Sequence, residues 1–379
     1  MNLTIDREIL LENLNIVSRG LPVKSPMPIL TGIKLYATDK DLFLTASNSD
    51  ISVEVIVNDS SLKIEESGQT VVPGRFFIDI IRKVNSKTIS LYLAEDKILV
   101  LKADRGEYNL HIMDALDYPK IDFVSQTDAL EVSSNLVREI VKTSVFATSQ
   151  SEKKPILTGV NLKNDGTTLT LTATDSFRLS QKKISIPEYK QFNITVPAKS
   201  LVELEKAIDA YQENVKLYFS ENKMLVSFKN VSFQTRLLDG NYPATDKLIP
   251  SSFPIELSFN KDELALAVER VSLLSPRDTA KDKEITYSII KLSLKKDRLV
   301  EISTNNAQIG AAREELIPTN ILADQPITIG FSSRYLIEAL RSFTSTNITL
   351  YLSGEIRPFI IRGEEDSDLT QLILPVRMN

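Results

Sequence analysis

The sequence predicts an α+β protein made of three similar domains in tandem, and internal repetition is the observation behind this prediction. The phrase Pro-Ile-Leu-Thr-Gly stands at 28–32 and again at 155–159. The segments LFLTASNSD (42–50) and LTLTATDSF (169–177) follow the two phrases at the same spacing. A third segment, LVEISTNNA (299–307), aligns with them about 130 positions further along. Each segment alternates apolar and polar residues before a Ser/Thr and Asn/Asp cluster, which is typical of a strand ending in a turn. Such a pattern, kept in order three times, indicates duplicated domains.

Two helical segments occur in every repeat. The first segments read DREILLENLNIV, SSNLVREIVKTSV and NKDELALAVERVSLL, with Asp6, Ser134 and Asn260 as the expected N-caps. The second segments read GRFFIDIIRKV, AKSLVELEKAI and SSRYLIEALRSF. Their helical period predicts apolar stripes of Phe76, Phe77, Ile80, Ile81 and Val84 in the first repeat, and of Tyr335, Leu336, Ala339, Leu340 and Phe343 in the third.

A similar strand follows each second helix, and these strands help to set the repeat boundaries. They read ISLYL (89–93), VKLYF (215–219) and ITLYL (348–352). We therefore predict domains at 1–125, 126–252 and 253–379, each with two amphipathic helices packed on a sheet.

Composition excludes several classes of protein. The chain has 379 residues, of which 42% are hydrophobic and 25% charged, as in globular proteins. No apolar stretch reaches the ~20 residues of a membrane helix, and the charged start MNLTIDREILLENL argues against a signal peptide. The absence of cysteine excludes disulfides and favours a cytoplasmic location. A net charge of −5 argues against a protein that coats DNA with a basic surface all round. This net charge is compatible with a protein whose basic residues are gathered on one surface.

Residues for catalysis or metal binding are hard to find. The single histidine, His111, lies in a strand-like alternation, and we interpret it as an ordinary sheet residue. There is no GxxxxGK[ST] or GxGxxG motif, and one histidine without cysteine gives no zinc set. We therefore predict no catalytic residue, cofactor or metal, while a hydrolase that uses only carboxylates stays open as the least favoured reading.

Three similar domains can build an open solenoid or a closed ring. A domain of this size is roughly 30–35 Å across, so a ring of three would have almost no hole, whereas a ring of six would leave an opening about 30 Å wide. The larger ring would admit duplex DNA, with one chain forming half of it.

Several motifs together resemble the bacterial DNA polymerase III β subunit family, the sliding clamps. They are DREILLENL, the two PILTG phrases, TATDSFRLS, RLLDGNYP, and the C-terminal RPFIIR and QLILPVR. The resemblance covers the whole chain. It implies the DNA clamp fold, a head-to-tail homodimer forming a six-domain ring around duplex DNA, and no catalytic activity. It also implies the DNA polymerase III catalytic subunit, the clamp loader and other replication and repair proteins as partners, in the cytoplasm at replication forks on the nucleoid.

Basic residues on the presumed helices and loops are the candidates for phosphate contacts. Those on helices are Arg75, Arg82, Lys83, Arg138, Lys142, Lys199 and Arg334. The resemblance adds Lys24 in one loop and Ser151, Lys153 and Lys154 in another. Acidic residues outnumber basic ones in helix 199–213, so the sequence alone does not demonstrate a positive lining.

The resemblance also implies a cleft between the second and third domains that binds a peptide carrying a Gln followed by apolar residues. The matching positions are Leu157, Thr174, Asp175, Ser176, Phe177, Arg178, Leu179, Pro243, Lys247, Leu248, Tyr287, Ser332, Tyr335, Ile356, Pro358, Ile373, Leu374, Pro375, Val376 and Arg377. We expect Leu157, Leu179, Leu248, Ile373 and Val376 to form an apolar cup, with Arg178 fixing the peptide's direction. Phe177 and Lys247 depart from the His and Arg of some relatives.

For the dimer contact, the resemblance implies Arg105, Tyr108 and Leu110 on one domain and Leu273 and Leu274 on the other. Residues 275–287 read as a long polar loop. Gly32 and Gly159 are expected at a backbone turn or bulge.

A tandem scaffold that binds peptides without encircling DNA is the alternative function.

Overall fold

The computed structural model describes residues 1–94, 97–125, 127–208, 214–275, 277–279 and 286–376. Within these ranges each repeat has two α-helices: α1 (Arg7–Val17), α2 (Gly74–Lys83), α3 (Ser134–Ser144), α4 (Ala198–Ile208), α5 (Lys261–Ser272) and α6 (Ser333–Ser342). This matches the predicted pairs. None of the helices in the described ranges has the length and apolarity that crossing a bilayer requires.

The strands follow the repeats as well. The first repeat contains β1 (Asn2–Asp6), β2 (Gly32–Ala37), β3 (Leu42–Ser47), β4 (Ile51–Val57), β5 (Lys63–Glu66), β6 (Gly68–Pro73), β7 (Thr88–Ala94), β8 (Ile98–Ala103) and β9 (Gly106–His111). The second contains β10 (Leu130–Ser133), β11 (Gly159–Asn164), β12 (Thr168–Thr174), β13 (Arg178–Ser185), β14 (Phe192–Pro197), β15 (Asn214–Phe219), β16 (Lys223–Phe228) and β17 (Val231–Arg236). The third contains β18 (Ile255–Asn260), β19 (Arg277–Thr279), β20 (Thr286–Leu294), β21 (Val300–Asn306), β22 (Gly310–Leu316), β23 (Asn320–Ala323), β24 (Ile327–Ser332), β25 (Asn347–Leu352), β26 (Phe359–Gly363) and β27 (Leu369–Ile373).

The chain divides into two compact units, and the first comprises Met1–Val137 and Lys199–Leu237. It holds one sheet in the order β5-β1-β7-β8-β9 and another in the order β10-β15-β16-β17-β4-β3-β2-β6. The second sheet crosses a repeat boundary, because β17 pairs antiparallel with β4 from Val231 opposite Val55 to Thr235 opposite Ile51.

The second unit comprises Arg138–Ala198 and Leu238–Asn379. Its larger sheet runs β14-β11-β12-β13-β27-β26-β25-β18-β23, and a smaller one runs β19-β20-β21-β22 with β24 on β20. Here β13 of the second repeat pairs with β27 of the third, Arg178 opposite Ile373. Each unit therefore contains a sheet shared by two repeats, and the second repeat is divided between the units.

Helix packing confirms most of the predicted apolar stripes. In the first repeat α1 packs on β3, β4 and α2, and Phe77 and Ile81 of α2 are fully buried. All five predicted stripe residues of the third repeat are buried as well. Phe76 was wrongly assigned to the buried stripe, since it is 71% exposed while Ile78 takes the buried position.

Two of the three predicted N-caps are confirmed. The Asp6 carboxylate accepts the N–H groups of Glu8 at 2.8 Å and Ile9 at 3.4 Å. The Asn260 side chain accepts those at the start of α5 at 3.0 and 3.1 Å. Ser134 was the wrong choice in the second repeat, because it is already the first residue of α3 and Ser133 accepts an N–H instead.

The repeated PILT segment forms a short 3₁₀ helix before a strand in both repeats, at Pro28–Thr31 and Pro155–Thr158. Its glycine was wrongly expected in a turn or bulge, since Gly32 and Gly159 begin β2 and β11 with extended φ values of −96° and −117°. Close packing explains the residue type. A Cβ on Gly159 would lie 2.6 Å from the Val196 carbonyl oxygen, and one on Gly32 would lie 2.4 Å from Val71 Cγ1.

The polar loop expected at 275–287 is wrong in part. Arg277–Thr279 forms a strand that pairs with Thr286–Ser288 of β20. Residues 276 and 280–285 lie outside the described residues.

Candidate peptide-binding site and DNA-contact residues

An aspartate-capped turn joins β12 to β13. Asp175 Oδ1 accepts the backbone N–H groups of Phe177 at 2.9 Å and Arg178 at 3.0 Å. Ser176 takes a left-handed φ of 78°, and Thr174 Oγ1 donates to the Arg178 carbonyl at 2.6 Å. These bonds fix a turn that presents Phe177, 43% exposed, on the surface.

Arg178 lies beneath this turn and is 6% exposed. Its Nε–H donates to Asp175 Oδ2 at 3.0 Å, and its two terminal nitrogens donate to Glu338 Oε2 and to the Phe146 carbonyl. The guanidinium also stacks 4.4 Å from the centroid of the Tyr335 ring. Because all three nitrogens have partners inside the protein, the geometry does not support the expectation that Arg178 itself fixes the direction of a peptide.

The polar groups around the turn are also engaged internally. Burial raises the pKa of Asp175, and the charge of Arg178 together with the N–H groups it accepts opposes that rise. The Thr174 N–H donates to the Tyr242 hydroxyl at 3.0 Å, and burial raises the pKa of Tyr242 as well. Both side chains therefore hold the turn in place.

An apolar cluster forms the floor next to the turn. Leu179, Ile360 and Leu372 are its buried members, with Leu374 and Ile249 among the residues packed against them. Leu157 and Ile373 are also in the interior, 3% and 1% exposed. Three members of the predicted cup (Leu157, Leu179 and Ile373) are thus core residues, which can only support a binding surface from below.

Several apolar residues of the predicted set are accessible. Leu248 is 53% exposed and Ile356 73% exposed. The C-terminal segment 374–376 is half-buried. Its Leu374 N–H donates to the Phe177 carbonyl at 3.0 Å, and its Val376 N–H donates to the Gly330 carbonyl at 2.8 Å. Phe177, Leu248, Ile356 and this segment are therefore the accessible apolar members of the predicted set.

The remaining predicted residues have varied positions. Ser332 and Tyr335 are buried at the start of α6, Pro243 and Lys247 are exposed, and Pro358 and Pro375 are half-buried. Tyr287 lies in β20, with its side chain outside the described part, and Arg377 lies outside the described residues. Every described member of the predicted set belongs to the second unit.

Sequence reasoning missed three residues that organise this region. Glu338 and Phe146 hold Arg178. Gln371 Nε2 donates to Thr143 O at 3.2 Å, Ser180 Oγ at 3.1 Å and Ser342 Oγ at 3.0 Å. The spacing of Arg334 and Glu338 indicates a helical ion pair, but no sequence signal points to these tertiary contacts.

The basic candidates for DNA contacts lie on the surface of each unit. In the first unit Lys24, Arg75, Arg82, Lys83 and Lys199 are exposed. Arg75 Nη2 donates to the Pro22 carbonyl at 3.2 Å, which fixes the Lys24 loop beside α2. In the second unit Lys142, Lys153 and Lys154 are exposed, and Arg138 and Ser151 are half-buried.

Family models match the chain from end to end. The DNA polymerase III β subunit models match as N-terminal domain at 1–122, central domain at 131–244 and C-terminal domain at 246–377. The chain belongs to the DNA polymerase III β subunit family. This family is the sliding clamp, a processivity factor rather than a catalytic subunit.

Individual β-subunit relatives are similar over their full length. The chain is 36% identical to the beta sliding clamp of Bacillus subtilis, with 100% of both chains covered. The solved structure of the B. subtilis DNA polymerase sliding clamp matches with a TM-score of 0.93 over 100% of both chains. The DNA polymerase III β chain of Streptococcus pneumoniae matches with a TM-score of 0.94 at 31% identity, again over 100% of both chains.

The residues expected at a β-subunit dimer contact are accessible. In the first unit β9 is the edge strand of its sheet, Tyr108 is 38% exposed, Leu110 is half-buried and Arg105 is exposed. In the second unit Leu273 is 79% exposed just after α5, and Leu274 is half-buried.

The described residues contain no cluster of three or more acidic or histidine side chains that could hold a metal ion. His111 ends the edge strand β9 and is exposed, which agrees with its interpretation as a sheet residue.

Proposed function

We propose that this chain is a DNA sliding clamp, two copies of which close head to tail into a six-domain ring around duplex DNA. The ring holds DNA without sequence specificity and confers processivity on the replicative polymerase. The observation that carries this proposal is the match of three β-subunit family models to consecutive parts of the chain. In this proposal the protein acts in the cytoplasm, at replication forks on the nucleoid.

Domain boundaries at 1–125, 126–252 and 253–379 are part of the proposal. The ranges of the three family models support them. The sheets shared across repeat boundaries join neighbouring domains within each unit by ladders of backbone hydrogen bonds, in addition to the chain itself.

The DNA contacts in this proposal are made to phosphates. The residues are Lys24, Arg75, Arg82, Lys83, Arg138, Lys142, Ser151, Lys153, Lys154 and Lys199. Lysine and arginine side chains attract phosphates without reading bases, which suits a protein that has to slide. Lys24 and Lys153–Lys154 lie in the loops that lead into the two PILT 3₁₀ helices.

The peptide site in this proposal is the rim formed by Phe177, Leu248, Ile356 and the segment 374–376. It receives a short segment in which a Gln precedes apolar anchors, carried by the polymerase III catalytic subunit, the clamp loader, and other replication and repair proteins. Exposed apolar side chains over a buried apolar floor support this, since such anchors supply most of the binding energy in peptide grooves.

Ring closure in this proposal joins the two ends of the chain. An edge strand is a template for pairing with another chain. β9 in the first unit and β22 in the second are both edge strands of their sheets. Ile309 and Ile317, which flank β22, are 63% and 82% exposed. A head-to-tail contact between these two different surfaces closes after two copies.

A retention experiment tests the function. The protein is incubated with long linear duplex DNA tethered at one end, the other end is then blocked with streptavidin, and the DNA is washed with 1 M salt. Such salt removes ordinary phosphate binding, so a clamp stays until a restriction enzyme cuts the DNA. Loss in the wash, or retention that survives the cut, would contradict the proposal.

A further inference from the structure

Glu338, a residue of α6, uses both of its carboxylate oxygens. Its Oε2 accepts from Arg178, and its Oε1 accepts from Arg334 Nε at 2.9 Å. The two partners differ in their surroundings, since Arg178 is 6% exposed and the Arg334 side chain is 55% exposed. Glu338 therefore takes part in one buried and one surface ion pair.

The buried ion pair contributes more to the stability of this region than the surface ion pair does. An exposed i,i+4 ion pair contributes little because water and salt screen it. Removing one partner of a buried pair leaves a desolvated charge without compensation. Without Glu338, Arg178 would keep Asp175 and the Phe146 carbonyl but lose its ion pair with the third repeat.

A continuous set of contacts leads from Glu338 to the peptide rim. Arg178 holds Oδ2 of Asp175 at 3.0 Å. Oδ1 of the same carboxylate caps the turn that presents Phe177. The Phe177 carbonyl in turn accepts the Leu374 N–H at 3.0 Å. A shift of Arg178 is therefore transmitted both to the Phe177 turn and to the C-terminal segment 374–376.

We infer that Glu338 is a positioning residue of the peptide site, which sets the place of the Phe177 turn and the C-terminal segment by holding Arg178. This inference rests on the proposed peptide-binding function. Glu338 does not touch the peptide. It acts from a neighbouring repeat, through the ion pair that joins α6 to the turn between β12 and β13.

The chain offers a matched control and a local reporter. Arg334→Ala removes the surface partner of Glu338 and leaves the buried pair intact. The sequence contains no tryptophan, so Phe177→Trp places a single fluorophore in the turn. The binding probe is a fluorescein-labelled Gln-Leu-Ala-Leu-Phe peptide, measured by fluorescence anisotropy with the full-length protein in a non-reporter background.

We expect Glu338→Ala to weaken probe binding about tenfold, a usual size for coupling between neighbouring sites. Glu338→Gln should have a smaller effect, because its amide oxygen can still accept from Arg178. Glu338→Ala should also change the emission maximum and acrylamide quenching of Trp at position 177. Arg334→Ala should leave both the affinity and the emission unchanged, and thermal unfolding establishes that each variant is folded.

Two results would overturn the inference. One is a folded Glu338→Ala protein that binds the probe within twofold of the parent and has unchanged emission. The other is an Arg334→Ala protein with the same defect as Glu338→Ala, because the surface pair would then be responsible. If the parent protein itself does not bind the probe, the proposed peptide site fails and the inference fails with it.

Discussion

An Asn or Asp side chain builds the same turn at equivalent positions of the first two repeats. Asn48 Oδ1 accepts two backbone N–H groups at 3.1 and 2.9 Å, as Asp175 does in the second repeat. Asn306 accepts one at 2.9 Å in the third. The sequence predicted these turns from the Ser/Thr and Asn/Asp clusters. It could not show that the second oxygen of Asp175 holds a buried arginine, because that contact depends on tertiary packing.

The exposed rim residues should control peptide binding without affecting folding. We expect Phe177→Ala and Leu248→Ala each to weaken binding of the Gln-Leu-Ala-Leu-Phe probe by about 1–2 kcal/mol, since each removes an apolar anchor. Leu322→Ala is the matched control, because Leu322 is 59% exposed in β23 and belongs to no predicted site. Anisotropy titration measures the effect. Equal weakening by the control would place the site elsewhere.

Asp366 should make the stability depend on acid pH. Burial alone would raise the pKa of Asp366, but hydrogen bonds from Thr344 and Ser345 outweigh it and lower that pKa. The hydrogen bonds are two N–H donors at 2.8 Å each and two hydroxyl donors at 2.6 and 2.7 Å. The carboxylate therefore stabilises the fold above its unfolded pKa, and this contribution is lost as the pH falls through the lower folded value.

We accordingly expect Asp366→Asn to lower the free energy of unfolding by about 1–3 kcal/mol at pH 7. The difference from the parent should shrink below about pH 4, where the aspartate becomes protonated. Urea unfolding at several pH values measures it, with Asp39→Asn, an exposed aspartate, as the control. A difference that stays constant from pH 7 to pH 3 would contradict this account.

Among the elements, those with a strong local signal were the ones predicted well. The six helices follow from the apolar period, and the caps at Asp6 and Asn260 follow from residue type. The signal was ambiguous for Phe76, because Phe76, Phe77 and Ile78 are three consecutive apolar residues. Only tertiary packing decides that Phe77 and Ile78 face inwards. Gly159 was misread, since a strand start that admits no Cβ looks the same in sequence as a turn.

Helix caps should contribute measurable stability. Asp6→Ala and Asn260→Ala each remove a side chain that accepts two N–H groups at the start of a helix. We expect each to lower the free energy of unfolding by about 1 kcal/mol. Glu12→Ala, at an exposed position within α1, is the control. Urea denaturation checks the result, and a control that loses as much as the cap variants would mean that general helix propensity is responsible.

At the scale of the whole molecule, the repeats were predictable and the two compact units were not. Order and spacing in the sequence identify three domains. The unit boundaries arise because edge strands of different repeats pair, β17 with β4 and β13 with β27. Such pairing depends on complementary edges in three dimensions, which leave no periodic trace in one sequence. The Arg178 contacts also depend on tertiary packing, so the sequence could not predict them for the same reason.

The exposed leucine after α5 should be needed for the dimer. Leu273 is 79% exposed, and burying an aspartate there would carry a desolvation cost with no partner. We expect Leu273→Asp to shift the protein from dimer to monomer at micromolar concentration, measured by light scattering after gel filtration. Leu322→Ala again serves as the control. A Leu273→Asp protein that stays dimeric would exclude this surface from the contact.

Covalent closure of the ring is the most direct test of whether the protein encloses DNA. The chain has no cysteine, so Tyr108→Cys with Leu273→Cys places thiols at both sides of the proposed contact. The protein is threaded onto linear duplex DNA, the ends are ligated into a circle, and a bismaleimide joins the thiols. We expect the protein to stay with the circle in SDS and to be released when the circle is cut. Protein that leaves the intact circle in SDS, despite two completed cross-links per dimer, would show that the chain does not enclose DNA.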